Sequence, residues 1–355
     1  MTAFTRFALA AGVVATVATG AVQAEELRLL TWGGYAPDAV VAQFEKETGI
    51  DVQVTLSNNE DMISKLRATG GAGFDLAQPS QDRIIGVQRQ FNIYQPLDMS
   101  RIDTGLIQTS MLNATRESTS MNGGQYGVPA VWGTSGLIVA GPAANVVTDY
   151  TDLCADAVAG RVSYRLKRPT LIGFAFAMGE DPFAAYDNEG EYRAILEKVE
   201  AALIECKANV KTYWSGGDEL LALLRTGEVT AAMAWDAGGW TLHAENPSIN
   251  FVAPESGALG WIDTFALPRR AENVDAAYQW INFVNRPEIA AQITNQSGNF
   301  TAAVGADAFV RAELRDAYRV SFNQEALDNI NWYPPVPPGL EALEGQVLDR
   351  IQAAN

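Results

Sequence analysis

The sequence is poor in the residues that most often perform catalysis or bind transition metals. Its 355 residues include one histidine, His243, and two cysteines, Cys154 and Cys206. Zinc sites built from clustered histidines and cysteines are therefore excluded, and a histidine-dependent triad would have to use His243. No GxGxxG segment follows a predicted strand and no GxxxxGK[ST] segment occurs, so we expect neither a cofactor nor a bound metal.

Positive charge is also scarce. The chain has 25 Lys and Arg residues against 42 Asp and Glu residues, a formal net charge of −17 at pH 7. An acidic surface repels phosphate backbones, which argues against nucleic acid and anionic membranes as partners. Beyond the N-terminal segment no apolar run approaches the ~20 residues that cross a bilayer, which predicts a soluble mature chain.

Residues 1–24 have the layout of a secretory signal peptide. Arg6 is their only charged residue, and it precedes a largely apolar stretch and the small-residue ending AVQA at 21–24. We predict cleavage after Ala24 and a periplasmic location, with a buried N-terminal helix as the alternative. An exported destination predicts a disulfide between Cys154 and Cys206, and two buried free thiols are the alternative.

Hydrophobic periodicity predicts alternating strands and helices in two sets, at 27–80 and near 161–235. The predicted strands include 51–57, 210–213 and 231–235, and a helix is predicted at 274–284. Extended segments at 126–140 and 257–267 run between the sets. This order predicts an α/β fold with two doubly wound lobes joined by two crossing segments. We expect the first lobe at 25–136 plus 262–325, the second at 137–261, and a C-terminal helix within 326–355 whose lobe is open. A ligand cleft is expected between the lobes, at the strand ends.

Tryptophan is abundant, with eight residues in the chain. Five of them fall at predicted strand ends or on the crossing segments: Trp32, Trp132, Trp235, Trp240 and Trp261. For any one of them, packing in the core or between the lobes is the alternative. Indole faces attract cations, by ~0.5–1 kcal/mol when exposed and by ~2 kcal/mol or more when desolvated. The placement therefore predicts an aromatic cage around an ammonium or sulfonium group, with Asp263 as a counter-charge.

Several segments, in the same order, resemble the polyamine-binding periplasmic proteins of ABC importers. They are LTWGGY at 30–35, FEKETGI at 44–50, GFDLAQPS at 73–80, VPAVWGT at 128–134, AMAW at 232–235 and GWIDTFALP at 260–268. The similarity spans nearly the whole mature chain. It implies a type II-like periplasmic binding protein that closes about a hinge and passes its ligand to a membrane permease. We expect a monomer.

The chain departs from that family where the family holds the amines of its ligand with carboxylates. Gly34 stands at a position that is often acidic in the family, and no Asp or Glu occurs between Gly160 and Gly179. That stretch instead carries the basic residues Arg161, Arg165, Lys167 and Arg168. Arg165, Lys167 or Arg168 could hold a ligand carboxylate, Arg through a bidentate fork, and a solvated strand edge is the alternative.

We therefore predict a receptor for a small cationic-headed or zwitterionic solute, such as a betaine or dimethylsulfoniopropionate. A polyamine receptor is the alternative. An enzyme that uses carboxylates such as Asp75, Asp236 and Asp263 is a third possibility, but no spacing in the sequence brings two of them together. The predicted ligand-binding residues are Trp32, Tyr35, Ser80, Trp132, Lys167, Arg168, Trp235, Asp236, Trp240, Trp261 and Asp263.

Overall fold

The computed structural model describes residues 25–354, so the predicted signal peptide at 1–24 lies outside the described residues. The strands are β1 (Glu26–Thr31), β2 (Asp51–Leu56), β3 (Leu76–Ala77), β4 (Tyr94–Gln95), β5 (Ser120–Met121), β6 (Gly124–Gln125), β7 (Val128–Ala140), β8 (Val162–Tyr164), β9 (Val210–Tyr213), β10 (Ala231–Trp235), β11 (Ile249–Val252), β12 (Leu259–Phe265), β13 (Leu267–Pro268), β14 (Phe300–Thr301) and β15 (Asn331–Trp332).

The α-helices are α1 (Asp38–Thr48), α2 (Asn59–Thr69), α3 (Ile85–Phe91), α4 (Thr109–Thr119), α5 (Arg168–Ala177), α6 (Glu189–Glu205), α7 (Gly217–Thr226), α8 (Asp236–Glu245), α9 (Val274–Val284), α10 (Pro287–Ser297), α11 (Ala312–Ser321), α12 (Gln324–Asp328) and α13 (Leu340–Ala353). Short 3-10 helices connect several of them.

The first lobe is built on a parallel sheet in the order β2-β1-β3. Isolated bridges join Ala77 to Ala266 and Ser80 to Asp263, so the end of β3 lies beside β12 and β13. The alternation at 51–57 correctly predicts strand β2, but its apolar face is buried only at Val52. Leu56 is 64% exposed, because β2 is the edge strand of this sheet.

The second lobe is built on the parallel strands β9, β8 and β10. Strand β7 pairs antiparallel with β10 along its second half and with β12 along its first half. The two predicted crossing segments are thus two long strands that lie side by side. Val128 and Val131 pack in the core of the first lobe, whereas Leu137 and Val139 pack in that of the second. The fold is the predicted two-lobed α/β fold, and the lobe boundaries stay a prediction.

Helix ends follow the local sequence. Asn58 caps α2 by accepting a hydrogen bond from the Asp61 backbone N–H at 3.0 Å. Gly227 ends α7 in the left-handed conformation, with φ of +72°, which a residue with a Cβ rarely adopts.

The C-terminal helix α13 packs on the second lobe. Its residues Leu343, Val347 and Ile351 share a hydrophobic cluster with Leu196 and Val199 of α6. On the same lobe, Cys154 and Cys206 form a disulfide bond. Of the helices within residues 25–354, none combines the length and the apolar character needed to cross a membrane.

Candidate functional site

Asp263 lies on β12, where the two lobes meet, and its side chain is buried. The Tyr35 hydroxyl donates a hydrogen bond to Oδ2 at 2.8 Å, and the Ser80 hydroxyl donates one to Oδ1 at 2.6 Å. The side-chain amide of Asn59 in turn donates a hydrogen bond to Ser80 Oγ at 2.9 Å. Burial raises the pKa of Asp263 to about 7, although both hydroxyl hydrogen bonds lower it.

Asp236 is a second buried carboxylate, in the first turn of α8 directly after β10. Its Oδ2 accepts hydrogen bonds from the Thr134 backbone N–H at 2.7 Å and from the Thr134 hydroxyl at 2.9 Å. Its Oδ1 accepts one from the Ala237 N–H at 2.7 Å. Burial raises the pKa of Asp236 to about 7 against the effect of these donors. The group is therefore held in place by neutral donors alone.

Trp261 lies between these carboxylates and the two lobe cores. It is half-buried, and its ring packs against the hydrophobic clusters of both lobes. A Cβ added to Gly133 would lie 2.5 Å from Cζ2 of this ring and 3.2 Å from Oδ1 of Asp236. The absent side chain at Gly133 thus lets the indole lie against β7 beside the Asp236 carboxylate.

We call Tyr35, Ser80, Thr134, Asp236, Trp261 and Asp263 the carboxylate site. It forms where the loop after β1, the loop after β3 and the end of β10 meet β12, which is the edge where α/β proteins bind ligands. Asp236 is close enough to Tyr35 to help raise the pKa of that hydroxyl, after burial and Asp263. Within residues 25–354, neither Asp236 nor Asp263 has a cation within 4.0 Å.

Two buried carboxylates without a cationic partner can bind a positively charged guest. Burying a carboxylate without a cation is costly, and a ligand ammonium group that donates to it would remove most of that cost. Within the described residues, no group of three or more His, Cys, Asp or Glu side chains is placed so that it could hold a metal ion. His243 lies on α8 with Nδ1 2.9 Å from the Ile249 carbonyl oxygen.

Two of the other predicted tryptophans border the carboxylate site. The half-buried Trp32 follows β1, and its indole N–H donates to the Gln78 carbonyl at 2.8 Å. Trp235 ends β10 immediately before Asp236 and meets Trp214 edge-on, with ring centroids 5.2 Å apart. Both residues thus follow strands whose ends lead into the carboxylate site, and their contact with a ligand stays a prediction.

Trp132 and Trp240 lie apart from the carboxylate site. Because Trp261 pairs with Gly133 and Ile262 with Trp132, Trp132 lies on the sheet face opposite to Trp261 and Asp263. There its ring lies 6.0 Å from Tyr318 and 6.1 Å from Phe300. The structure thus corrects the prediction of a cage built from both crossing strands, because neighbouring residues of a pleated pair point to opposite faces.

Trp240 is buried in the core of the second lobe. Its ring centroid lies 5.8 Å from that of Phe300 and 6.0 Å from that of Tyr318, and its N–H donates to Ser321 at 2.9 Å. Trp240 is only 3% exposed and belongs to a hydrophobic cluster with Leu242 and Phe251, so its ring is enclosed by packed side chains. The prediction that it lines the cleft is corrected accordingly.

The two predicted basic residues also differ from expectation. Lys167 is exposed, directly before α5. Arg168 is buried and already paired, 3.3 Å from Asp82 and 3.2 Å from Glu344, with a further hydrogen bond to the Tyr186 hydroxyl. Because its charge is satisfied within the chain, Arg168 is corrected from a ligand contact to a link between Asp82 of the first lobe and Glu344 of α13.

Arg165 lies close to one of the predicted tryptophans. The sequence offered it, beside Lys167 and Arg168, as a possible contact for a ligand carboxylate, but it is not among the predicted ligand-binding residues. Its guanidinium carbon lies 5.3 Å from the Trp214 ring centroid and 5.4 Å from that of Trp235. Strand alternation could not have separated Arg165 from Lys167, because residues two apart lie on the same face of a strand. Trp214, buried and likewise not selected, had no motif to mark it.

Comparison with known proteins identifies the family. The family described as bacterial extracellular solute-binding protein matches residues 39–314. The spermidine/putrescine-binding periplasmic protein of Escherichia coli (strain K12) is 27% identical over 342 residues, which cover 94% of this chain and 94% of that protein. The putrescine-binding periplasmic protein PotF of the same organism is 26% identical over 338 residues, covering 87% and 86%.

A solved structure shares the fold. The spermidine/putrescine ABC transporter substrate-binding protein PotD from Streptococcus pneumoniae superposes with a TM-score of 0.74 at 22% identity, covering 92% of this chain and 98% of that chain. The predicted resemblance to polyamine-binding periplasmic proteins is thereby confirmed as homology.

Proposed function

This chain belongs to the family of bacterial extracellular solute-binding proteins, and on that premise we propose that it is the periplasmic receptor of an ABC importer for small aliphatic amines. Its relatives are solute-binding proteins and not enzymes. The polyamines putrescine and spermidine, for which those relatives are named, are the leading ligand class. The receptor closes its two lobes around the guest and releases it unchanged to a membrane permease.

The observation that carries this proposal is the pair of buried, unpaired carboxylates, Asp236 and Asp263. One follows a strand of the second lobe and the other accepts hydrogen bonds from Tyr35 and Ser80 of the first lobe. A guest that contacts both favours closure, because those contacts are complete only when the lobes meet. A primary ammonium group supplies the positive charge that neither carboxylate has beside it within residues 25–354, together with N–H donors that a carboxylate can accept from.

The same geometry favours an amine over a betaine or a sulfonium compound. A quaternary ammonium or sulfonium head donates no hydrogen bond and depends on several aromatic faces. Trp132 and Trp240 pack elsewhere, and the face of Trp235 is shared with Arg165. The polyamine alternative is therefore preferred to the betaine or dimethylsulfoniopropionate hypothesis.

Isothermal titration calorimetry of the purified, ligand-free protein tests the proposal. We expect putrescine and spermidine to bind, glycine betaine and dimethylsulfoniopropionate to give no heat, and Asp263→Asn to weaken amine binding at least tenfold, ~1.4 kcal/mol. Glu189→Gln on the exposed surface of α6 removes a charge without touching the site and should leave the affinity unchanged. Binding of glycine betaine in the absence of amine binding would overturn the proposal.

A further inference from the structure

Arg165 brings a positive charge to the wall of the second lobe, one residue after the end of β8. Its guanidinium lies against two indole rings, those of Trp214 and Trp235, at 5.3 and 5.4 Å. Trp214 is held in place by a hydrogen bond from its N–H to the Met233 carbonyl oxygen at 3.1 Å. The aromatic surface that a second cationic group of a ligand would use is therefore occupied by a cation of the chain itself.

The guanidinium of Arg165 has no ion-pair partner in the part of the chain described, residues 25–354, and its Nε is buried without a hydrogen-bond acceptor. Burial lowers the pKa of the group, and the more distant Glu60 of the first lobe partly offsets that effect. Glu60 itself is exposed and paired with Arg83 at 3.3 Å. A half-buried guanidinium that lacks acceptors is well suited to bind a carboxylate, through two parallel N–H donors.

Two relationships bring Arg165 near the carboxylate site. Trp235, against which Arg165 lies, directly precedes Asp236 in the chain. Glu60, whose charge acts on Arg165, follows Asn59, which holds Ser80 and through it Asp263. The buried carboxylates thus have near them a guanidinium that has no ion-pair partner within residues 25–354.

We infer that Arg165 determines ligand specificity by binding a carboxylate at the end of the guest opposite its ammonium group, so that, among the amines that the site binds, an ω-amino carboxylate binds more tightly than a diamine such as putrescine (1,4-diaminobutane). The inference rests on the proposed function, since it takes amine binding at Asp236 and Asp263 as given. A diamine would place its second ammonium group towards Arg165, where the two like charges repel each other.

Three ligands with the same four-carbon chain distinguish binding of the ammonium group from binding of the group at the other end of the guest. They are 1,4-diaminobutane, 4-aminobutanoate and 1-aminobutane. Calorimetry on the wild-type protein should show 4-aminobutanoate binding at least tenfold more tightly than 1,4-diaminobutane. In Arg165→Gln, we expect the affinity for 4-aminobutanoate to fall at least tenfold, that for 1,4-diaminobutane to stay equal or rise, and that for 1-aminobutane to stay unchanged. Arg165→Lys keeps the positive charge but not the two parallel N–H donors of the guanidinium. It should therefore lose less affinity for 4-aminobutanoate than Arg165→Gln.

Arg193→Gln is the matched control, because it removes the same charge from the exposed surface of α6 in the same lobe. It should change none of the three affinities. A wild-type preference for 1,4-diaminobutane, or an equal effect of Arg165→Gln on all three ligands, would overturn this inference and leave the proposed function standing. If the folded wild-type protein binds none of the three, the proposed function fails as well.

Discussion

The Tyr35 hydroxyl donates a hydrogen bond to the Asp263 carboxylate at 2.8 Å, across 228 residues of sequence. Tyr35 belongs to the loop between β1 and α1, whereas Asp263 lies on a strand that passes from one lobe to the other. The bond therefore fixes the carboxylate relative to the first lobe while its strand pairs with β7. A guest bound to Asp263 is thereby positioned by the same hydrogen bond that supports the carboxylate.

Amine affinity should depend on pH. Burial raises the pKa of both Asp236 and Asp263 to about 7, so both carboxyl groups are largely protonated at about pH 5.5 and ionised at about pH 8. An aliphatic amine, with a pKa of about 10, stays cationic throughout. We expect the affinity for putrescine to rise at least tenfold between about pH 5.5 and 8, measured by calorimetry in matched buffers.

The ligand-free protein should show the opposite trend in stability. Because the folded-state pKa of each group lies above its unfolded value of 3.8, the folded protein binds more protons between those values. Its free energy of unfolding should therefore fall as pH rises through that window. Asp263→Asn should flatten both trends in part. An affinity that does not change with pH would show that neither group binds the amine in its ionised form.

Replacing Trp261 should weaken binding without unfolding the protein. Trp261→Ala removes the indole that lies beside Asp236 and exposes that carboxylate to water, and we expect at least a tenfold loss of putrescine affinity, ~1.4 kcal/mol. The measurement is calorimetry, with circular dichroism to verify folding. Trp332→Ala is the matched control, since Trp332 is partly exposed and meets Trp132 on the other sheet face. Equal effects of the two substitutions would identify Trp261 as a packing residue only.

The fold could largely be predicted because each local pattern agrees with the tertiary arrangement. The predicted strands at 210–213 and 231–235 and the predicted helix at 274–284 have the bounds of β9, β10 and α9. Both crossing segments are strands, although the sequence does not state that they pair with each other. Alternation identified β2 as a strand but not its exposure, because edge position depends on which strands lie beside it.

The candidate site was harder to predict because it depends on register and on partners. Whether Trp132 and Trp261 share a face follows only from the pairing of β7 with β12. Arg165 and Arg168 are three residues apart and chemically identical, yet one is unpaired and the other is neutralised by Asp82 and Glu344. No sequence pattern places Glu344, from the last helix, against Arg168. Tertiary contacts therefore decide which basic residue is available to a ligand.

The disulfide should contribute stability and leave binding intact. Cys154 and Cys206 close a loop with a sequence separation of 52, for which chain entropy gives about 4 kcal/mol. Cys154→Ser with Cys206→Ser should lower the free energy of unfolding by ~2–4 kcal/mol in urea titrations. Both cysteines pack in the hydrophobic cluster of the second lobe, to which neither Asp236 nor Asp263 belongs, so the affinity for putrescine should stay within twofold. A large loss of affinity would place the disulfide in the binding mechanism.

Arg168 should be the charged residue whose loss costs most stability. It lies buried between Asp82, which follows β3, and Glu344 on α13, and burial raises the pKa of both carboxyl groups. Arg168→Met removes the cation that is paired with those two buried carboxylates and leaves them only the more distant Arg83, which should lower the free energy of unfolding by ~3–5 kcal/mol. Urea unfolding followed by circular dichroism measures this change.

A further variant distinguishes the cost of the two buried carboxylates from the loss of packing around the Arg168 side chain. Adding Asp82→Asn and Glu344→Gln to Arg168→Met removes the unpaired charges while keeping the side-chain shapes, and should restore at least half of the lost stability. Arg193→Met, which breaks only the exposed pair with Glu189 at 2.8 Å, should cost no more than ~0.5 kcal/mol. The triple variant could instead be no more stable than Arg168→Met alone. The loss would then arise from the contacts of the Arg168 side chain with Tyr186 and Tyr333 and not from the buried carboxylates that have lost their cation.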